Sequence, residues 1–183
     1  MSGSSASRWV VLVVGAVVIG ACTHAPLNRI AVAYSTFESA AGEPRGTALL
    51  WQDPGNIVHV ELHLSGLPPG THGIHFHAVA KCEGGTTAFS TAGGHYNPIG
   101  REHGLKNPAG PHAGDAENIV VESDGSYSKS FTTDRVSLTD GSTTLFDADG
   151  SAIVIHAAAD DQTSQPAGNS GARIACGTLR KTL

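Results

Sequence analysis

The chain has 183 residues, 11 Lys and Arg against 16 Asp and Glu for a net charge of −5, 23 glycines and only 5% aromatic residues. That length suits one domain with a short appendage, and a glycine-rich, aromatic-poor composition favours strands and tight turns over long helices. The acidic balance and the lack of a basic stripe exclude nucleic acid as a partner, so an anionic ligand would have to be drawn by local positive charge.

Residues 1–21 carry a single charge, Arg8, followed by the apolar run Trp9–Ile19. The run is shorter than the roughly 20 residues that cross a bilayer and reads as a secretory signal. It ends Ile19-Gly20-Ala21-Cys22, which looks like a bacterial lipobox, with cleavage before Cys22 and a lipid on its sulfur. Residues 22–28 would then be a tether and 29–183 the domain. The expectation is an exported protein of the bacterial periplasm or cell envelope, held to a membrane through lipidated Cys22. With Cys22 so assigned, Cys82 and Cys176 remain, and in a compartment where thiols oxidise they form the natural disulfide, worth about 2–5 kcal/mol.

Eight β-like runs follow in order: Ile30–Thr36, Gly46–Trp51, Ile57–Leu64, Thr71–Val79, Ile119–Val121, Tyr127–Phe131, Ala152–Ala158 and Ala172–Leu179. In the third, Val58, Val60, Leu62 and Leu64 alternate with His59, Glu61 and His63, the period of a strand with one wet face. Asp53-Pro54-Gly55-Asn56 and Asp124-Gly125 supply turn chemistry, the latter as a two-residue hairpin connection. The fold class is therefore all-β, an eight-stranded antiparallel Greek-key barrel or sandwich. Two stretches break the pattern, Lys81–Glu117 and Ala159–Gly171, and loops of that length in a compact domain usually carry function.

Ordering about 35 loop residues costs on the order of 1–2 kcal/mol each, so something must hold the first loop. His95, His103, His112 and Asp115 all lie in it, and three imidazoles with one carboxylate suit zinc. His75 and His77 flank Phe76 on a strand, so both rings project from one face, and His156 ends another run. If those strands are neighbours, three imidazoles converge with room for a fourth from the loop, a nitrogen-rich set that suits copper. His24, His59, His63 and His72 read as polar surface.

Gly73-Ile74-His75-Phe76-His77, Gly94-His95-Tyr96-Asn97-Pro98, His112-Ala113-Gly114-Asp115, Ile155-His156 with Asp160, and Gly171-Ala172-Arg173-Ile174-Ala175-Cys176-Gly177 together resemble the copper,zinc superoxide dismutases, in order and across about residues 28–180. The resemblance implies copper on His75, His77, His95 and His156, and zinc on His95, His103, His112 and Asp115, with His95 bridging the metals. It implies that Asp160 links the free nitrogens of His75 and His103, that Arg173 stands beside the open copper position, and that Cys82–Cys176 is the disulfide within the subunit. Catalysis would rest on Arg173 and His95, with superoxide as substrate and a homodimer as a possible assembly. The loop Asp161–Gly171 lacks lysine, and Ala167 stands where many members carry threonine, so steering of the anion should be weaker than in those members or arranged by other residues. A non-catalytic copper- and zinc-holding lipoprotein of the same fold is the alternative, although sequestration needs neither a bridging His95 nor Arg173.

Overall fold

The computed structural model describes residues 28–84 and 87–182. Residues 1–27, with the expected signal, Cys22, His24 and all but the last residue of the expected tether, lie outside them.

The two-residue period of the sequence becomes the two faces of a curled sheet. In β3 (Val58–Leu64) the four aliphatic residues are buried, and His59, Glu61 and His63 turn outward. The strands β1 (Ala31–Glu38), β2 (Pro44–Gln52) and β3 form a meander. Then come β4 (Gly70–His72) and β5 (Ile74–His77), β6 (Ile119–Val121), β7 (Tyr127–Thr133), β8 (Ala152–His156), β9 (Arg173–Thr178) and β10 (Arg180–Lys181). Eight of them make an antiparallel sheet in the order β5-β8-β9-β1-β2-β3-β7, with β10 also pairing β1. The sheet curls into a half-barrel. Its edges are tied by a second ladder: β4, which runs through Gly73 into edge strand β5, pairs with β6, which leads by a turn to the other edge, β7.

Phe37, Leu50, Val60, Leu62, Ile74, Phe76, Ile153 and Ile155 fill the interior, each burial contributing about 1.5–3 kcal/mol. A smaller cluster, Phe89, Ala92, Ala152, Val154 and Cys176, lies on the far side of β8 and β9. There the loop from Cys82 is fastened to β9 by the Cys82–Cys176 disulfide, which spans 94 residues.

Two local expectations change. The run Thr71–Val79 is two strands, because Gly73 leaves the ladder and donates its N–H to the Ala158 carbonyl. Asp124-Gly125 does turn the chain, with Glu122 N–H bonded to the Ser126 carbonyl, but the strands on either side diverge to different partners rather than forming a hairpin. A third long connection, from β7 to β8, is not a loose loop: its Val136, Leu138 and Leu145 are core residues.

Candidate metal centre

β5 presents Ile74 and Phe76 to the core and His75 and His77 to the opposite face. That face is not wet, since both rings are fully covered by the loops. β8 pairs with β5 in antiparallel register, His75 opposite Val154, which places His156 two residues on along the same face. The loop after β5 returns to hydrogen-bond the free edge of that strand: Phe76 N–H to the Gly114 carbonyl at 2.9 Å, Tyr96 N–H to the Phe76 carbonyl at 2.8 Å, Ala78 N–H to the Gly94 carbonyl at 3.0 Å. His95 and Asp115 are thereby laid beside the strand histidines. The approach requires glycine at 114, where a Cβ would come within 2.4 Å of the Phe76 carbonyl oxygen.

Two clusters result, His75, His77, His95 and His156, and His95, His103, His112 and Asp115, the ligand atoms of each lying within 4.8 Å of one another. His95 belongs to both. In four of the rings one nitrogen is held by a protein group outside the ligand sets and the other is left for the cluster. His75 Nε2 meets Asp160 Oδ2 at 2.7 Å, His77 Nδ1 the Gly93 carbonyl at 3.0 Å, His156 Nδ1 the Gly171 carbonyl at 3.3 Å, and His103 Nε2 Asp160 Oδ1 at 3.1 Å. His75 Nδ1, His95 Nε2 and His112 Nδ1 are buried without a hydrogen-bond partner. Leaving such atoms unpaired costs about 1–3 kcal/mol each, the expected state of nitrogens reserved for a cation.

Asp115 Oδ1 stands 2.9 Å from His95 Nδ1, 3.0 Å from His103 Nδ1 and 3.3 Å from His112 Nδ1. Bonds of about 2.0–2.1 Å in a tetrahedron put neighbouring ligand atoms about 3.3 Å apart, so this set fits zinc with little movement. The other oxygen, Oδ2, accepts the backbone N–H groups of Gly104 and His112 at 2.8 and 2.9 Å, fixing the carboxylate. Asp160 reaches one ring of each cluster, while its neighbour Asp161 is exposed and caps its own loop.

Protonation in the metal-free chain divides the rings. Burial holds His77 well below its ordinary value and brings His156 down to about 3; it brings His95 down to about 4 despite the opposing hydrogen bond that the ring donates to Asp115. These rings stay neutral, with lone pairs free for metal. Burial pulls His103 the same way, but Asp115 and Asp160 outweigh it and raise the ring to about 9. Burial would raise both carboxyls; hydrogen bonds, His103 foremost, instead hold them far below the ordinary carboxylate range.

An open cleft of about 460 Å³ gives onto the first cluster, lined by His77, His95, His156, Asn97, Gln165, Ala167 and Arg173 among others. Arg173 donates from Nη1 to the Phe89 carbonyl and from Nη2 to the Gly93 carbonyl, both at 2.6 Å. Among the described residues it is the only Lys or Arg lining the cleft.

Of the histidines read as surface, His63 is exposed, and His59 is half-buried, stacked on Trp51 at 5.1 Å and bonded to Asp53. His72 is not surface: it is 3% exposed, with Nδ1 2.8 Å from the His156 carbonyl and Nε2 2.8 Å from the Pro68 carbonyl. Its partners are main-chain oxygens far away in sequence, which no residue pattern announces. The same holds for Gly93 and Gly171, whose carbonyls orient His77 and His156.

Residues 44–179 match the family described as copper/zinc superoxide dismutase (SODC). This chain belongs to the copper/zinc superoxide dismutase family. It is 40% identical to Superoxide dismutase [Cu-Zn] 2 of Aquifex aeolicus over 150 residues, 81% of this chain and 86% of that protein. Superoxide dismutase [Cu-Zn] of Caulobacter vibrioides is 38% identical over 151 residues, 81% of this chain and 85% of that one. Among solved structures, a SOD-like protein from Bacillus subtilis superposes with a TM-score of 0.76 at 34% identity, over 80% of this chain and 97% of that one. Copper and zinc are the family's metals, and the two clusters, one of four imidazoles and one of three imidazoles with a carboxylate, have the donor chemistry for them.

Proposed function

We propose that this copper/zinc superoxide dismutase binds copper through His75, His77, His95 and His156 and zinc through His95, His103, His112 and Asp115, and that Arg173 and His95 serve the reaction. Two superoxide anions and two protons give O2 and H2O2. Bound copper supplies the one-electron exchange, which zinc cannot. The protein supplies the rest. Arg173 fixes a planar cationic group where the anion must sit, in a chain of net negative charge, with two of its donors engaged by carbonyls. His95 Nε2 is buried without a protein partner in a ring that lines the cleft, so a proton can be carried there and returned to a reduced anion, while Nδ1, beside Asp115, would be given to zinc and keep the ring in place.

The observation that carries this reading is the sharing of His95 between the two clusters. Superoxide decay after pulse radiolysis, on protein loaded with copper and zinc and beside an Arg173→Ala variant, tests it. Loaded protein that does not accelerate decay over buffer would leave a metal-holding role.

Export and lipid attachment at Cys22 belong to the same reading. Arg8, the run Trp9–Ile19 and the sequence Ile19–Cys22 support them. A Cys22→Ser variant should lose radiolabelled palmitate and leave the membrane fraction. A second copy as partner is supported by the exposed apolar side chains of Tyr34, Ile99 and Val120; a sedimentation mass of one chain would remove it.

A further inference from the structure

The zinc ligand His103 is gripped twice. Its ring is held through Nε2 by Asp160 at 3.1 Å. Its main chain is held by one carboxamide: Gln165 Oε1 accepts the His103 N–H at 2.9 Å, and Gln165 Nε2 donates to the His103 carbonyl at 3.0 Å. Asn107 Nδ2 also donates to that carbonyl, at 3.1 Å. No regular element surrounds His103, so the φ and ψ that aim its Nδ1 at Asp115 depend on such contacts. Asp160 is clamped reciprocally, for Asn118 Oδ1 accepts its N–H and Asn118 Nδ2 donates to its carbonyl, both at 2.8 Å. Each partner of the buried Asp160–His103 contact thus has its backbone pinned by an amide from the opposite loop.

Gln165 differs from Asn118 in also lining the anion cleft, next to Pro166 and Ala167. We propose that Gln165 is a positioning residue of the zinc site, fastening the main chain of His103 to the wall of the cleft. The inference rests on reading the His95, His103, His112 and Asp115 cluster as the zinc site. It assigns zinc affinity to a side chain that contributes no ligand atom, and it makes the cleft wall answer to whatever moves His103. The amide is needed as such. A carboxylate at 165 would still accept the His103 N–H but would set a second oxygen against the His103 carbonyl.

Zinc(II) affinity measured by competition with a chromogenic chelator tests this on wild type, Gln165→Ala and Gln165→Glu. Zinc should bind about tenfold more weakly to Gln165→Ala, the low end of what removing an outer partner does to a metal site, and at least as weakly to Gln165→Glu at neutral pH. Cobalt(II) bound in place of zinc should show an altered visible spectrum in Gln165→Ala, and the fall in melting temperature should be confined to the zinc-loaded form. Affinities within twofold of wild type for both variants would overturn the proposal. So would equal melting losses with and without zinc alongside an unchanged cobalt spectrum. Wild-type protein that takes up no zinc would instead remove the zinc reading itself, and this inference with it.

Discussion

Arg173 and His77 donate to the same oxygen: Nη2 of the arginine lies 2.6 Å and Nδ1 of the histidine 3.0 Å from the Gly93 carbonyl. The cation of the cleft and a ring of the copper cluster are therefore positioned by one peptide group, within a loop that Cys82–Cys176 ties to β9 three residues after Arg173. Lysine at 173 would keep the charge but lacks the planar fork that spans the Phe89 and Gly93 carbonyls. Superoxide decay catalysed by Arg173→Lys, at equal copper content, should be about tenfold slower than wild type. A lysine variant of full activity would show that charge alone suffices.

Gly168 is the tightest spot behind the two clusters. A Cβ there would stand 1.7 Å from Asp160 Oδ1 and 2.7 Å from His103 Nε2, at a φ of +62° that disfavours any side chain. Gly168→Ala must displace the carboxylate that joins the clusters, and it should cost about 3 kcal/mol or more in urea unfolding together with most of the zinc affinity. Gly84, where an added Cβ has no atom of the other described residues within 4 Å apart from its chain neighbours, is the control, and Gly84→Ala should match wild type in both. A Gly168→Ala protein that keeps wild-type zinc content would show that Asp160 is dispensable.

Residue alternation and turn chemistry made the sheet legible, because a strand with one core face repeats every two residues, as Val58–Leu64 does. The ligand types were legible for the same reason: His75 and His77 can share a face only on a strand. What stayed hidden is whatever depends on main-chain atoms. The burial of His72 between the His156 and Pro68 carbonyls, the break at Gly73, and the grip of Gln165 on His103 all join segments distant in sequence through peptide groups that every residue carries. The connection from β7 to β8 was hidden differently, its buried Val136, Leu138 and Leu145 being too widely spaced to give a strand period.

Proton uptake by the metal-free chain should give stability a maximum near neutrality. Between about pH 6.5 and 4 an unfolded chain charges the rings of His77, His95 and His156 while the folded one, where burial lowers them to about 4 for His95 and about 3 for His156, does not. Stability therefore falls with pH in that window, by at most about 1.4 kcal/mol per pH unit for each ring. The lowered carboxyls of Asp115 and Asp160 continue the loss in stronger acid. His103 acts oppositely: raised to about 9, it stabilises fully below pH 6.5, adds no slope there, and loses its contribution as pH rises through 9. Urea midpoints at pH 4.5, 6.5 and 9 should peak at the middle value without metal, and the alkaline decline should vanish once zinc occupies the ring nitrogens. Stability that climbs steadily from pH 6.5 to 9 in the metal-free protein would contradict the His103 assignment.

Steering of the anion should be short-ranged. Among the described residues Arg173 is the one Lys or Arg on the cleft wall, the rim is built from neutral Asn97, Gln165, Asn169 and Ser170, and the chain as a whole carries −5. A single partly buried cation attracts an incoming anion over a few ångströms, where salt screens little, while the diffuse negative field of the body works weakly against approach. Raising ionic strength from about 0.01 M to 0.15 M shortens the Debye length from about 30 Å to about 8 Å, which removes that repulsion along with any distant attraction. The rate constant for superoxide should therefore change less than about threefold over this range. In Arg173→Ala the slope should turn positive, because only the repulsion is left to screen. A tenfold fall with salt in the wild type would mean that lysines and arginines outside the cleft, such as Lys106 or Arg101, guide the anion inward.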